Sequence, residues 1–251
     1  MSEVLTAHFW AGLMTIIWVN IILSGDNAVV IALAARSLPE RQQKKAIIWG
    51  AGAAVVLRII LTIVAVELLK LSYLKIIGGL LLLWIAVKLL LPEDGGDDVQ
   101  SSYNLIQAIK TILIADLVMS LDNVIAVAAA AKGSILLLVL GLLISIPLVV
   151  FGATILMKLM ERFPVIVTIG AALIGWVAGE MLVSDQVLVG WIDANMPWMH
   201  IHLPIGMGDV TWGQIVGAVG VVVVGKWLAA RAETEGEKGL DLVANEQEQP
   251  K

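Results

Sequence analysis

Apolar runs long enough to cross a lipid bilayer recur along almost the whole chain, and they limit its fold more than any other feature. A helix needs about 20 apolar residues to span the hydrocarbon core, and in that core only helices and closed barrels satisfy every backbone polar group. The runs are continuous and not alternating, which argues against the strands of a barrel. The pattern predicts an all-α polytopic membrane protein with seven transmembrane helices, at 9–35, 46–69, 71–91, 104–131, 134–157, 164–183 and 211–230.

Composition excludes several other classes of protein. Hydrophobic residues make up 59% of the 251 residues and charged residues only 15%, which is too apolar for an ordinary soluble domain. The chain has no Cys, so disulfides and thiolate metal sites are ruled out. It carries no phosphate-binding nucleotide motif, and we expect no nucleic-acid partner. The first expected partner is therefore the lipid bilayer.

Basic residues set the expected orientation of the chain. They cluster after the first and fifth spans and in the C-terminal tail, whereas 184–210 has no Lys or Arg. Because cytoplasmic loops are enriched in these residues, we expect the N-terminus outside and the C-terminus in the cytoplasm. Lys70, Lys75 and Lys132 fall on the outer side and oppose this assignment, but they are the minority. The residues that favour it are Arg36, Arg41, Lys44, Lys45, Lys158, Arg162, Arg231, Lys238 and Lys251.

The chain contains an internal repeat of two three-span units, residues 1–91 and 104–183. The first spans align at one constant offset, which matches Asp26 with Asp122. The third spans also align well, and the second spans align less closely. Because each unit has an odd number of spans, the two copies must be inverted relative to each other in the membrane. Inverted repeats are common in secondary transporters, whose ion sites lie near the membrane midplane at the repeat interface.

The remaining segments connect or extend these units. The seventh helix has no repeat partner, so we interpret it as accessory, and its Gly213 and Gly217 suit close helix packing or dimerisation. The predicted boundaries are 92–103 for an acidic cytoplasmic linker, 184–210 for an extracytoplasmic interfacial segment, 211–232 for the seventh helix and 233–251 for a disordered cytoplasmic tail.

A polar motif recurs at equivalent places in the two units. Its first copy is Ser-Gly-Asp-Asn at 24–27 and its second is Ser-Leu-Asp-Asn at 120–123, and six residues before each Asp lies a further matched pair, Asn20 and Asp116. Glycine, Asp and Asn all weaken a helix interior, so we expect a helix break in the first copy. Leu121 replaces the glycine in the second copy, where the signal for a break is weaker.

The motif side chains offer oxygen ligands only. A carboxylate inside the hydrocarbon core is costly and usually faces a partner, a cavity or an ion. An anionic, all-oxygen set suits a hard divalent cation such as Mn²⁺, Mg²⁺ or Ca²⁺, and oxygen chemistry alone does not choose among them. The alternative is that these residues only hydrogen-bond helices together, although duplication of the motif favours a shared site.

Three further features are open to two interpretations each. Arg58, opposite Pro147 in the repeat, is either a counter-charge for one aspartate or a snorkelling residue, and its central position favours the first. Glu180 is either a ligand or gate, or an interfacial residue. His200 and His202 form only a weak metal pair, because they share a face only in extended backbone. The predicted metal-site residues are Asp26, Asn27, Asp116, Asp122, Asn123 and Glu180, supported by Asn20, Ser24, Arg58 and Ser120.

The two motif copies, read as 24–32 and 120–127, resemble those of the TerC family of integral membrane proteins. The segments 175–180 (Gly-Trp-Val-Ala-Gly-Glu) and 161–164 (Glu-Arg-Phe-Pro) are similar to its shorter bacterial branch, often called YjbE-like. The resemblance covers roughly residues 5–230 and extends to a superfamily of LysE-type exporters. It implies Mn²⁺ export across a bacterial inner membrane, with Asp26 and Asp122 at the ion site.

Other functions remain open at this stage. An accessory role in membrane-protein insertion, or in metal loading of secreted proteins, is one alternative, with contact to translocation machinery or a homodimer as its partners. An intramembrane aspartyl protease with Asp26 and Asp122 as its dyad is a remote one, because the Gly-x-Gly-Asp pattern is incomplete. We expect a transporter and not an enzyme, with no permanently bound cofactor and with the metal ion as its substrate.

Overall fold

The computed structural model describes residues 7–22, 25–68, 71–91, 98–131, 134–202 and 209–247, and these residues are almost entirely helical. The helices are α1 (Ala7–Ile22), α2 (Gly25–Ala35), α3 (Glu40–Leu68), α4 (Leu74–Lys88), α5 (Asp98–Ala131), α6 (Ile135–Arg162), α7 (Val165–Val183), α8 (Val189–Asn195) and α9 (Trp212–Gln247), with a 3₁₀ turn at Pro197–Met199 and two strands, β1 (His200–His202) and β2 (Asp209–Thr211).

The predicted helical membrane architecture is confirmed, and the described residues contain five or six candidate spans. Five described helices are long and apolar enough to cross a membrane, and the bent pair of α1 and α2 makes a sixth candidate. The helix α4 has only 15 residues, which is short of the roughly 20 that a bilayer core takes. A seven-helix count therefore stays a prediction.

Helix α2 is the centre of the bundle. Every residue from Asn27 to Ala35 is buried, and the helix contacts α3, α5, α6 and α7. A helix that is covered on all sides needs small and apolar residues all round, which the sequence Ala-Val-Val-Ile-Ala-Leu-Ala-Ala at 28–35 provides. The other spans expose large apolar side chains outward, such as Ile48, Val56 and Ile63 on α3. That outer surface suits lipid.

Helices from the two sequence units pack on each other in a reciprocal pattern. In the first unit α1 contacts α6, and in the second unit α5 contacts α3; the third spans, α4 and α7, contact each other. A two-fold relation between the units would give these reciprocal contacts, in which the first span of each unit packs on the second span of the other. The inversion itself stays a prediction.

Two sets of contacts mark opposite ends of the bundle. At one end, which we call the Arg36 end, Arg36 Nη2 donates to the Leu89 carbonyl oxygen at 2.9 Å. At the other, the Asp185 end, Asp185 Oδ2 accepts the backbone N–H of Lys75 at 3.1 Å. Helix α4 therefore begins beside the end of α7 and finishes beside the end of α2. Because Val167, near the start of α7, lines a cavity with Lys88, α4 and α7 run antiparallel.

Helices α7 and α9 approach closely through glycines. A Cβ on Gly175 would lie 2.5 Å from the carbonyl oxygen of Gly217, and one on Gly179 would meet the backbone of Gly213 still more closely. Only glycine fits at these positions. The small-residue surface of the accessory helix is thus used for packing within the chain.

Three segments differ from the sequence-based boundaries. A short helix and a two-stranded antiparallel hairpin, with Ile201 opposite Val210, occupy part of the interfacial segment. Helix α5 begins at Asp98, inside the expected linker, of which 92–97 lie outside the described residues. Helix α9 continues to Gln247 through the expected disordered tail. Glu is the commonest residue of this stretch, with four copies among residues 233–247, and it favours helix, whereas Gly236 and Gly239 oppose it.

Candidate cation site

The guanidinium of Arg58 organises a buried polar cluster in the middle of α3. Its Nε donates to Ser120 Oγ at 3.0 Å and its Nη1 to Asn20 Oδ1 at 2.9 Å. Its Nη2 pairs with Asp116 Oδ1 at 2.5 Å. None of these four residues is more than 6% exposed. Of the two roles predicted for Arg58, the structure shows the counter-charge, and Asp116 is its partner.

Helix spacing explains why α5 supplies two of the acceptors. Asp116 and Ser120 are four residues apart, so they lie on one face of the helix, and Ser120 Oγ also donates to Asp116 Oδ2 at 3.3 Å. The third acceptor, Asn20, belongs to α1, so Arg58 of α3 links two other helices. A buried ion pair with further hydrogen bonds is the arrangement in which the cost of desolvating both charges is best offset.

The cluster joins matched positions of the two repeat units. Asn20 and Asp116 are the residues that the motif alignment places opposite each other, and both accept from Arg58. The sequence match of Ser120 is Ser24, which lies outside the described residues. The counterpart of Arg58 is Pro147 in α6. Only the first unit therefore contributes a cationic side chain to the cluster.

The first motif copy lies at a helix break. Helix α1 ends at Ile22, α2 begins at Gly25, and the two are bent by 49°. Asp26 is in the first turn of α2, where its Oδ1 accepts the Asn27 backbone N–H at 2.8 Å. A carboxylate is favourable there because it faces the positive end of the helix dipole. The bend agrees with the predicted break in this copy, whose residues 23–24 lie outside the described part of the chain.

A small cavity connects the motif with the Arg58 cluster. Its volume is about 20 Å³, which is room for about one water-sized species. Five polar side chains that line it come from five helices, and the remaining lining is apolar. These polar residues are Asn20 of α1, Asn27 of α2, Arg58 of α3 and Asp116 of α5, with Ser145 of α6 as a fifth.

A roomier cavity lies at the Arg36 end, but its chemistry is different. Its volume is about 330 Å³, and its lining includes the cations Arg36 and Lys88 and one acid, Glu161. Two positive charges against one negative charge repel a metal cation. We therefore place the candidate cation site at the smaller cavity, despite its size.

The second motif copy is only partly described. Helix α5 runs without a break through 120–123, so the weaker signal for a break there corresponds to continuous helix. The side chain of Asp122 lies outside the described residues, and its distance from Asp26 stays untested. Asn123 is half-buried, one turn beyond Ser120.

The complete predicted ligand set is not assembled among the described side chains. Within that part of the chain, no three His, Asp or Glu side chains group closely enough to hold a metal ion. Glu180 lies on the contact of α7 with α9, where Gln214 Nε2 donates to its Oε2 at 3.0 Å, and it does not line the small cavity. Its role as ligand or gate stays a prediction.

The histidine pair lies in the hairpin, in the extended backbone that sharing a face requires. His200 Nε2 is 2.9 Å from Asp193 Oδ1, and both side chains are partly exposed. The side chain of His202 lies outside the described residues. Metal binding at this pair stays untested.

Sequence reasoning missed two polar residues. Ser145 lines the small cavity and donates to the Leu142 carbonyl at 2.7 Å; the signal was a hydroxyl in a strongly apolar helix. Asp185 is 2% exposed and accepts from the backbone N–H groups of Lys75 and Ile76. It satisfies the first turn of α4 from a distant part of the chain, which no local pattern reveals.

Comparison with known proteins gives a consistent result. Residues 5–233 match the integral membrane protein TerC family. The chain is 44% identical over 176 residues to the uncharacterized membrane protein YjbE of Bacillus subtilis, covering 70% of this chain and 81% of that protein. It is 24% identical to the UPF0053 inner membrane protein YgdQ of Escherichia coli K12, covering 77% and 86% of the two chains. No solved structure matches it.

Proposed function

Because the chain belongs to the TerC family of integral membrane proteins, we propose that it is a membrane transporter that exports a divalent metal cation, with Mn²⁺ as the expected substrate. One observation supports this proposal most strongly. Polar side chains from five helices converge on a small cavity whose other walls are apolar, and polar groups within a membrane domain commonly mark an ion pathway.

The broken first span supports an ion site at this depth. Asp26 follows the break directly, at the start of a half-helix. Transporters often form their ion sites at such discontinuous helices near the midplane. The carboxylate of Asp26 and the amide of Asn27 are oxygen ligands of the kind that Mn²⁺ takes.

Helix periodicity supports Asp122 as the second anionic ligand. Positions 115, 119 and 122 recur at helical spacing on α5. Ala115 and Met119 are buried in the same core cluster as the residues of α2. Residue 122 therefore falls on the same stripe of α5 as Ala115 and Met119, and we propose that its carboxylate is the second anionic ligand. Two carboxylates would balance the charge of one divalent ion.

The choice of Mn²⁺ over Ca²⁺ and Mg²⁺ rests on the resemblance of the motif, since the oxygen ligands suit all three ions. Export would use the membrane potential or an ion gradient, and the carboxylates could exchange the metal for protons. Asp116 is paired with Arg58 in this structure, so it would reach the ion only if that pair opened.

The proposed orientation places the Arg36 end in the cytoplasm. Basic residues stand over aromatic rings near this end, an arrangement that suits a membrane interface. The antiparallel α4 and α7 support the inverted relation of the units. The pairs are Lys88 over Trp84 at 5.3 Å, Arg162 over Phe163 at 5.7 Å and Arg231 over Trp227 at 3.8 Å.

A transport assay tests the proposal. Purified protein in liposomes that enclose a Mn²⁺-quenched dye is compared with the variants Asp26→Asn and Asp122→Asn. We expect wild-type flux and at least a roughly tenfold loss in each variant, because each removes one charge from the ion site. The control is Asp193→Asn, the same change at an exposed acid of α8, which should keep wild-type flux. Full flux in both site variants would reject the assignment, and no flux of any divalent ion in the wild type would reject transport.

We propose no enzymatic activity. The aspartyl-protease alternative needs the carboxylates of Asp26 and Asp122 to share a proton. Asp26 accepts a hydrogen bond from the Asn27 backbone N–H, and the side chain of Asp122 lies outside the described residues. Incubation of the purified protein with a membrane-peptide library tests this point, and cleavage that Asp26→Asn abolishes would overturn it.

A further inference from the structure

We propose that Arg58 is a tethered counter-ion that the transported cation displaces from Asp116 in each cycle. This inference rests on the proposed transport function and adds a step to it. Its basis is the geometry of the buried cluster, in which a guanidinium occupies a site built from oxygen ligands.

The Arg58 cluster already binds a cation with the ligands that a metal ion would use. Its acceptors are an amide oxygen of Asn20, a hydroxyl oxygen of Ser120 and a carboxylate oxygen of Asp116. The same three oxygen types serve hard divalent cations in proteins. The guanidinium and the metal ion are therefore competitors for one set of ligands.

The cavity beside the cluster makes this competition direct. Arg58 and Asp116 line it together with Asn27, the neighbour of Asp26, and it has room for about one water-sized species. A metal ion placed there would stand next to the guanidinium. Like charges at such a distance repel strongly where water is scarce, so an ion that uses Asp116 requires Arg58 to withdraw.

The side chain of Arg58 is suited to leave and return. It is the only cationic side chain that lines this cavity among the described residues, and it is carried by α3, whereas its acceptors belong to α1 and α5. While Arg58 is bound to Asp116, its positive charge neutralises the carboxylate, which avoids the cost of an unpaired buried charge. When the metal ion binds, the ion would neutralise Asp116 instead, and Arg58 would pair with Asp116 again after the ion is released.

The opposing interpretation is a static ion pair that only fastens α1, α3 and α5 together. The two interpretations differ in metal affinity. If Arg58 competes with the ion, replacing Arg58 by a neutral residue must strengthen metal binding and slow release of the metal. If the pair is static, the same change can only weaken the protein or leave binding unaffected.

The experiment measures Mn²⁺ binding by calorimetry on detergent-purified protein and Mn²⁺ flux in liposomes. For Arg58→Gln we expect about tenfold or greater tightening of Kd, the effect of one freed carboxylate, together with about a tenfold loss of flux because the ion is not expelled. Arg58→Lys should recover part of the flux, since a cation is present again. Arg58→Gln with Asp116→Asn should return Kd to within about threefold of wild type.

Unchanged or weaker Mn²⁺ binding by folded Arg58→Gln overturns the inference. If Arg58→Gln does not fold, Asp116→Asn decides instead, because it leaves the Arg58 charge without its carboxylate and should weaken Mn²⁺ binding by about tenfold; unchanged binding rejects the inference. Absence of Mn²⁺ binding and flux in the wild type would instead reject the proposed function, so the two failures are distinct. Asp193→Asn is again the control that should keep wild-type values.

Discussion

The two copies of the Ser-x-Asp-Asn motif share their polar residues but differ in their backbone. The first lies where α1 ends at Ile22 and α2 begins at Gly25 with a bend of 49°. The second lies inside α5, which is continuous. The residue that differs between them is Gly25 in the first and Leu121 in the second. Gly25 is exposed, and a Cβ added to it would meet no atom of the described residues within 4 Å beyond its own helix backbone, whereas Leu121 is 5% exposed within the core.

From this difference we infer that the second copy is held in place by packing, whereas the first is the copy that would change its bend during the proposed transport. A buried Leu121 holds α5 against its neighbours through its apolar contacts, and α5 then presents Asp116 and Ser120 to Arg58 as a rigid face. Glycine at position 25 supplies no such anchor and lowers helix propensity. Equivalent polar residues in a duplicated protein can thus serve a static half and a movable half of one site.

The largest expected effect comes from the fixed copy. Asp116→Ala should lower the free energy of unfolding by about 3–5 kcal/mol, because it leaves the buried Arg58 charge without its ion-pair partner. Denaturation of the purified protein in mixed detergent micelles measures this change. The control is Arg58→Met with Asp116→Leu, which removes both charges and should cost less. A loss below about 1 kcal/mol for Asp116→Ala would show that the pair contributes little to the fold.

The second prediction concerns the anchor of that copy. Leu121→Ala should lower the free energy of unfolding by about 2–5 kcal/mol, since it removes buried apolar contacts and leaves a cavity. The same denaturation assay measures it, and Ile48→Ala on the exposed face of α3 is the matched control for an apolar truncation. If the two truncations cost the same, Leu121 is not the anchor that distinguishes the copies.

Much of this arrangement follows from local sequence patterns, and the rest depends on tertiary packing. Long apolar runs predict the spans, and Gly25 predicts the break, because both are local properties. The partner of Arg58 is different. A central Arg predicts that some carboxylate neutralises it, but the choice of Asp116 depends on how α3 and α5 are aligned along each other, and packing alone sets that alignment. The hairpin after α8 involves too few residues for a periodic signal.

The third prediction compares the matched positions directly. Asn20→Ala should lower the free energy of unfolding by about 1.5–3 kcal/mol, the range for a hydrogen bond to a charged group, and therefore by less than Asp116→Ala. Asn20 contributes a neutral oxygen to Arg58, whereas Asp116 contributes the charge. Both variants are measured in one denaturation series. An equal or larger cost for Asn20→Ala would mean that the charge of Asp116 adds no stability.

The smallest expected effect on stability comes from the movable copy, and it carries the clearest functional consequence. Gly25→Ala should change the free energy of unfolding by no more than about 1 kcal/mol, because Ala favours helix over Gly by about that amount and a Cβ at this position meets no atom of the described part of the chain within 4 Å. The proposed Mn²⁺ flux should nevertheless fall several-fold, since a stiffer backbone beside Asp26 resists the change in bend. Flux in liposomes and unfolding in micelles are measured on the same preparation. Gly190→Ala in α8, where a Cβ also meets no atom within 4 Å, is the control for the substitution itself. Wild-type flux in Gly25→Ala would place the movement elsewhere, because a break that tolerates a stiffer residue without loss cannot be the step that limits transport.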